Sequence, residues 1–269
     1  RAWGGDLMQK AGANVVKHIC ELAFMGFIEV LMNLSTILKN ISFCKKDIEL
    51  FQPDAIVLID YPGFNLRIAK WAKARRIKVF YYISPQIWAW NQKRGWKIKK
   101  NVDEMFVILP FEQEFYKKFD FDVHFVGHPL LDAVQSFQKT QPDFNEFCEK
   151  NNLPNKPIVA LLPGSRKQEV KKMLPIFLQV VDSFKEYQFV LAAAPALDMD
   201  FYAPFLTKKN VSVIGGRTYE LLMQSKAALV SSGTATLETA LFGVPEVVCY
   251  KGGGVSVALA RMLIKVKFI

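Results

Sequence analysis

Short apolar runs separated by amphipathic stretches recur through the chain, and their spacing predicts alternating strands and helices. Residues 55–60 (AIVLID), introduced by Pro53, form the continuous apolar run of a strand buried on both faces. Over 65–76 the apolar positions Leu66, Ile68, Ala69 and Ala72 fall on one helical face, and basic residues gather toward the end, where they favour the helix dipole. Strands are predicted at 77–83 and 104–109, the second after a basic helix. A short helix at 111–119 and a strand at 123–127 follow. The polar stretch 135–142 then breaks the pattern and reads as a linker. A second alternation places strands at 158–162, 189–193, 211–214, 227–230 and 246–250, with helices at 167–184, 218–224 and 234–242.

Strand-helix-strand repetition on either side of a linker predicts an α/β fold of two Rossmann-like domains, over 1–138 and 139–269, each a doubly wound parallel sheet. The length agrees, since 269 residues exceed what one hydrophobic core usually organises. Two such halves facing one another would define a cleft, with ligands at the carboxyl ends of the strands. The chain opens at Arg1 inside a strand-to-loop pattern and stops at an apolar-basic KVKFI, so a truncation at both ends is expected, with the second domain incomplete.

Composition narrows the partners. No apolar run reaches the ~18–20 residues of a spanning helix. Four scattered cysteines without CxxC spacing suit a reducing cytoplasm rather than a disulfide framework or a zinc site. The net charge is +10, and it is concentrated: between Asp60 and Asp103 there is no acidic residue but eleven Lys or Arg. Such a run fits a solvated helix face, an anionic lipid surface or a phosphorylated substrate. No nucleic-acid module accompanies it, so nucleic acid is not expected.

Two strand-to-helix junctions in the second half carry candidate chemistry. In LLPGSR (161–166), Gly164 permits a tight turn, Ser165 is placed to cap the helix, and Arg166 adds a fork matched to phosphate oxygens. A plain capped turn fits the same residues. In VSSGTATLE (230–238), Ser232, Gly233 and Thr234 again lead from a strand into a helix, and Glu238 stands one turn in, placed either for a ribose or as a favourable first-turn charge. Neither GxGxxG nor a P-loop is present. Asp60 ends an apolar strand, where a partly desolvated carboxylate acts as a general base or simply caps the next helix. Trp88 and Trp90 are expected on a loop, for stacking a sugar or for anchoring. Asp198-Met199-Asp200 matches a metal-holding DxD by three residues only and is set aside. The stripe Ile28, Leu31, Leu34, Ile37 and Leu38, followed by Lys39, Lys45 and Lys46, fits a core face or a membrane interface.

Read in order, ELAFMGFIEVL (21–31), IDYPGFN (59–65), SPQIWAWNQKR (84–94), LPFEQEFY (109–116), FVGHPLLD (125–132), LLPGSRKQEV (161–170) and SSGTATLETALFGVP (231–245) resemble the lipid-A-disaccharide synthases. The resemblance implies a GT-B-like, metal-independent enzyme without a cofactor. It would move 2,3-diacylglucosamine from its UDP derivative to 2,3-diacylglucosamine 1-phosphate with inversion, form a β-1,6 bond and release UDP. It also implies a cytoplasmic protein peripheral on the anionic inner membrane of Gram-negative bacteria, and a homodimer for the full-length chain. Asp60 matches the base and Arg166 an arginine at the UDP phosphates. Gly164, Ser165, Ser232, Gly233, Thr234 and Glu238 match nucleotide-binding positions, and the stripe at 28–38 matches the membrane-facing region. Gly63 stands where many members carry a second aspartate. The remaining alternatives are another enzyme using UDP-N-acetylglucosamine, a MurG-like transferase or an epimerase, or a non-catalytic peripheral membrane protein.

Overall fold

The computed structural model describes residues 1–21, 34–138, 143–206, 210–231 and 233–251. The chain divides into two compact units, Arg1–Gly127 and a second beginning at His128.

The first unit opens with a parallel pair, β1 (Ala2–Gly4) and β2 (Val15–His18), around the short α1 (Asp6–Lys10). The 18-residue α2 (Leu34–Phe51) follows; Asn40, Ile41, Cys44 and Asp47 are buried at helical spacing. Four parallel strands then line up in sequence order: β3 (Ala55–Ile59), β4 (Lys78–Tyr82), β5 (Glu104–Val107) and β6 (His124–Phe125). The connections are α3 (Pro62–Ala74), α4 (Ile87–Trp90) with α5 (Arg94–Asn101), and α6 (Phe111–Lys117). Val79, Tyr81, Met105 and Val107 are fully buried and share a core with Ile41, Ile68, Ala69 and Ala72. Helix α3 starts three residues before the predicted 65, because Pro62 occupies its first turn, where a missing N–H costs nothing.

In the second unit, α7 (Pro129–Gln138) covers the first half of the stretch read as a linker; residues 139–142 lie outside the described ones. After α8 (Phe144–Lys150) come β7 (Ile158–Leu162), α9 (Lys167–Phe177), β8 (Gln188–Ala193), α10 (Ala203–Leu206), β9 (Val211–Gly215), α11 (Thr218–Gln224), β10 (Ser225–Ser231), α12 (Thr234–Leu241) and β11 (Glu246–Cys249). All pairings are parallel, in the order β11-β10-β7-β8-β9. Both faces of the sheet are covered. Ala160, Leu162, Val190 and Val230 enter one core with α8 and α11, while Leu161 and Leu191 enter the other with α9. This explains why the strands read as unbroken apolar runs. Helix α9 stops at Phe177 rather than the predicted 184, and it runs through Pro175, which has no N–H to offer the Lys171 carbonyl.

Candidate functional site

In the first unit, β3 and β4 run parallel with Ile59 opposite Tyr82, so residues 60 and 83 leave the sheet side by side. Three side-chain-bearing residues there hold left-handed backbone: Asp60 (φ 44°), Tyr61 (φ 43°) and the β-branched Ile83 (φ 63°). Each conformation is disfavoured by about 1–3 kcal/mol and persists only where its surroundings fix it. The fixing bonds are present. Asp60 N–H donates to Tyr82 O at 2.9 Å and Ile83 N–H to Phe106 O at 3.0 Å. The fully buried Tyr81 donates its hydroxyl to Asp60 O at 2.6 Å, and Asn65 Nδ2 donates to the same oxygen at 2.8 Å. Strain concentrated on two adjacent strand ends and held by four hydrogen bonds marks a position built to present a side chain.

That side chain borders a cavity of about 380 Å³, walled also by Pro62, Ile83, Ser84, Gln86, Trp90 and Glu112. Its size falls within the range of small-molecule sites. Loss of water around Asp60 raises its pKa above the ordinary carboxylate value, outweighing the lowering by the Tyr61 N–H. Residues 87–90 form the short helix α4 rather than the expected loop, which separates the two tryptophans. Trp88 packs edge-on against Phe111 with ring centroids 5.0 Å apart, an anchoring role. Trp90 stays exposed at the cavity, with the Arg94 guanidinium 4.7 Å from its ring centroid.

Glu112 was not singled out from the sequence. Its buried carboxylate accepts the N–H groups of Leu109 at 3.0 Å and Ile108 at 3.3 Å, and burial raises its pKa despite those bonds. A glutamate in the first turn after LPF was the available signal.

In the second unit, the strand order reverses at β7. From it β8 and β9 extend one way, and β10 and β11 the other. Such a switch point opens a crevice at the carboxyl ends of the two central strands. Val230 lies opposite Leu162, so the turns after β10 and β7 rise next to each other there. These are the two junctions the sequence nominated. Gly233 holds φ 151° and Gly164 φ 112°, conformations open to glycine and few other residues. A Cβ at Gly233 would meet nothing within 4 Å, leaving its backbone open to approach, and among the described residues no side chain caps α12. Thr234 is exposed at the first helical position; Ser232 lies outside the described residues. A cavity of about 430 Å³ at the opposite, amino-terminal end of the sheet, near Pro157 and Ser225, lies away from both turns.

The start of α9 differs from expectation. Ser165 does not cap it; Arg166 is the capping position, and the carboxylate of Glu169 folds back over the turn. Glu169 Oε2 accepts Ser165 N–H at 3.2 Å and Arg166 N–H at 3.4 Å, and its Oε1 accepts Arg166 Nη1 at 3.1 Å. An acid at the third helical position reaches back to these amides, and Ser165 stands one residue before the capping position. Glu238 Oε1 accepts the Tyr219 hydroxyl at 2.8 Å, and Tyr219 packs edge-on against Phe137 and Phe242. Burial first, then the Glu238 carboxylate, pushes the Tyr219 pKa up to about 12.

Of the apolar stripe, Leu34 and Leu38 are exposed on α2, whereas Ile37 packs against the core, one helical step round. Ile28 and Leu31 lie outside the described residues.

A family model described as lipid-A-disaccharide synthetase matches residues 3–269. The lipid-A-disaccharide synthase of Syntrophus aciditrophicus is 42% identical over 273 residues, covering 99% of this chain and 70% of that protein. The one from Coxiella burnetii (strain Dugway 5J108-111) is 43% identical over 272 residues, with 99% and 71% covered. Among solved structures, S. aureus MnaA with UDP is similar at a TM-score of 0.59 and 14% identity, over 80% of this chain and 63% of that one. UDP-GlcNAc 2-epimerase from Neisseria meningitidis, bound to UDP-GlcNAc, gives 0.56 at 15% identity, over 96% and 76%. At such identities the likeness is one of fold.

Proposed function

The chain belongs to the lipid-A-disaccharide synthase family, glycosyltransferases of lipid A biosynthesis, and from that membership we propose that it joins two acylated glucosamines. It spans about 70% of the length of the curated relatives above, so the tests below use the full-length protein. The donor is UDP-2,3-diacylglucosamine and the acceptor 2,3-diacylglucosamine 1-phosphate. Asp60 takes the proton of the acceptor 6-hydroxyl as its oxygen attacks C1 of the donor sugar from the face opposite the diphosphate. The C1–O bond breaks with its electrons going to UDP, and a β-1,6 linkage forms with inversion. The turns at Gly164–Arg166 and 232–234 receive the diphosphate through backbone amides, hydroxyls and the Arg166 guanidinium, stabilising charge that grows as the bond breaks. Glu238 accepts from the ribose.

The observation that carries this reading is the placement of both hydroxyl- and glycine-bearing turns side by side at the switch point between β7 and β10. The deciding experiment is UDP release with both lipid substrates in the presence of a chelator. Release that needs both lipids supports the reading. Equal rates with a water-soluble acceptor would instead favour a different UDP-sugar enzyme. None of the described helices is long and apolar enough to cross a membrane. We therefore place membrane contact on the exposed Leu34 and Leu38 with Lys39, Lys45 and Lys46 close by, as a peripheral association with an anionic surface.

Two consequences are measurable by calorimetry. Arg166→Ala weakens UDP about 10- to 100-fold, the loss of a charge-assisted hydrogen bond to phosphate; unchanged affinity would remove the phosphate role. Tyr219→Phe releases one Glu238 oxygen from its fixed orientation. Affinity for UDP then falls about fivefold while that for 2′-deoxy-UDP moves little, which narrows the preference between them. A preference equal to wild type would place the ribose elsewhere.

A further inference from the structure

Among the described residues, two glutamates fold back over strand-to-helix turns, and they differ in exposure. Glu112 closes the turn after β5 and is 1% exposed, so its carboxylate is locked in place. Glu169 closes the turn after β7, but its side chain is 36% exposed and that of its partner Arg166 58%. It holds the Ser165 and Arg166 amides and the Arg166 guanidinium together, the donors an incoming phosphate would use. The contact depends on glycine at 164: a Cβ there would stand 2.6 Å from Glu169 Oε2 and 2.8 Å from its Cβ. The turn is thus shaped to admit this carboxylate.

We propose that Glu169 is an internal anion that occupies the phosphate-binding turn until a nucleoside diphosphate displaces it, and that it thereby limits the advantage of diphosphate over monophosphate. The proposal rests on the reading of the 164–166 turn as a phosphate site. A phosphate entering with Glu169 in place would meet a like charge beside donors already engaged. Binding therefore requires the carboxylate to swing into solvent, which its exposure permits without disturbing the core. The apparent affinity is lowered by the fraction of molecules in which Glu169 is docked. A ligand whose outer phosphate reaches the turn bears this competition, and uridine monophosphate, which stops short of it, does not. The competing charge also keeps the turn ordered between turnovers and gives the product a route out, because Glu169 recaptures the amides as UDP leaves.

Glu169→Gln is the discriminating variant. The amide oxygen still accepts from the turn, preserving the helix start, but the negative charge is gone. In calorimetric titrations of the full-length protein, the variant should bind UDP about fivefold or more tightly than wild type, with UMP unchanged. A residue that only capped the helix, or only aimed Arg166, would give equal or weaker UDP binding in the variant, and that result overturns the proposal. Arg166→Ala is titrated alongside. If it weakens UDP while Glu169→Gln fails to tighten it, the internal-anion role alone is wrong. If Arg166→Ala has no effect, the phosphate site itself is misplaced and both readings fall.

Discussion

Asp60→Asn in the full-length protein is expected to lower UDP release about a thousandfold, the loss of a positioned general base, while leaving UDP affinity within twofold of wild type. The substitution is nearly isosteric, and asparagine tolerates the left-handed backbone at φ 44° as well as aspartate does. The bonds that hold the position run through its own backbone, from Tyr81, Asn65 and to Tyr82, so they survive the change. What is lost is the proton acceptor. The pH profile supplies a second readout. Because desolvation raises the Asp60 pKa, the carboxyl stays protonated to a higher pH than an ordinary aspartate, and only its ionised form accepts a proton. Activity should therefore climb with pH along a limb displaced upward from the usual carboxylate range, and the variant's residual activity should lack that limb. Turnover within tenfold of wild type, or an acid limb retained in Asp60→Asn, would assign the base elsewhere.

The strands were legible because burial on both faces leaves an unbroken apolar run. Ile158–Leu162 was bounded from sequence as it stands in the structure, and Ala55–Ile59 to within one residue. Helix ends were less so. Apolar spacing marks where a helix packs, not where it begins or ends, and Pro62 sets the start of α3 by backbone chemistry that periodicity does not weigh. The junctions at Gly164 and Gly233 were visible as glycine-bearing turns, but their adjacency comes from the parallel pairing of β10 with β7, which sets Val230 opposite Leu162, far away in the sequence. Tertiary partners were invisible for the same reason. Nothing local to Glu238 announces Tyr219, 19 residues earlier, and nothing near Asp60 announces that Tyr81 will hold its carbonyl. The left-handed Ile83 contradicts the local preference of a β-branched residue. Such conflict between sequence and backbone is where a fold spends stability on a site.

Glu112→Ala should be the most damaging single change in the first unit outside its apolar core, lowering stability by about 2–4 kcal/mol in chemical unfolding. The side chain is 1% exposed, and its removal strips the Leu109 and Ile108 amides of their acceptor where water has poor access. Glu112→Gln should recover much of the loss, since its amide oxygen accepts the same bonds. The wild-type protein also carries a pH signature of this residue. Burial raises the Glu112 pKa, so the native state keeps a proton that the unfolded chain has released. Stability from this group is therefore complete below the ordinary glutamate value and is lost as pH rises through the raised one; both variants should lack that component. The same carboxylate geometry at Glu169, open to solvent, predicts the reverse balance, a small stability change with a gain in nucleotide affinity. A large stability loss at 169 and a small one at 112 would mean that exposure does not separate the locked glutamate from the displaceable one.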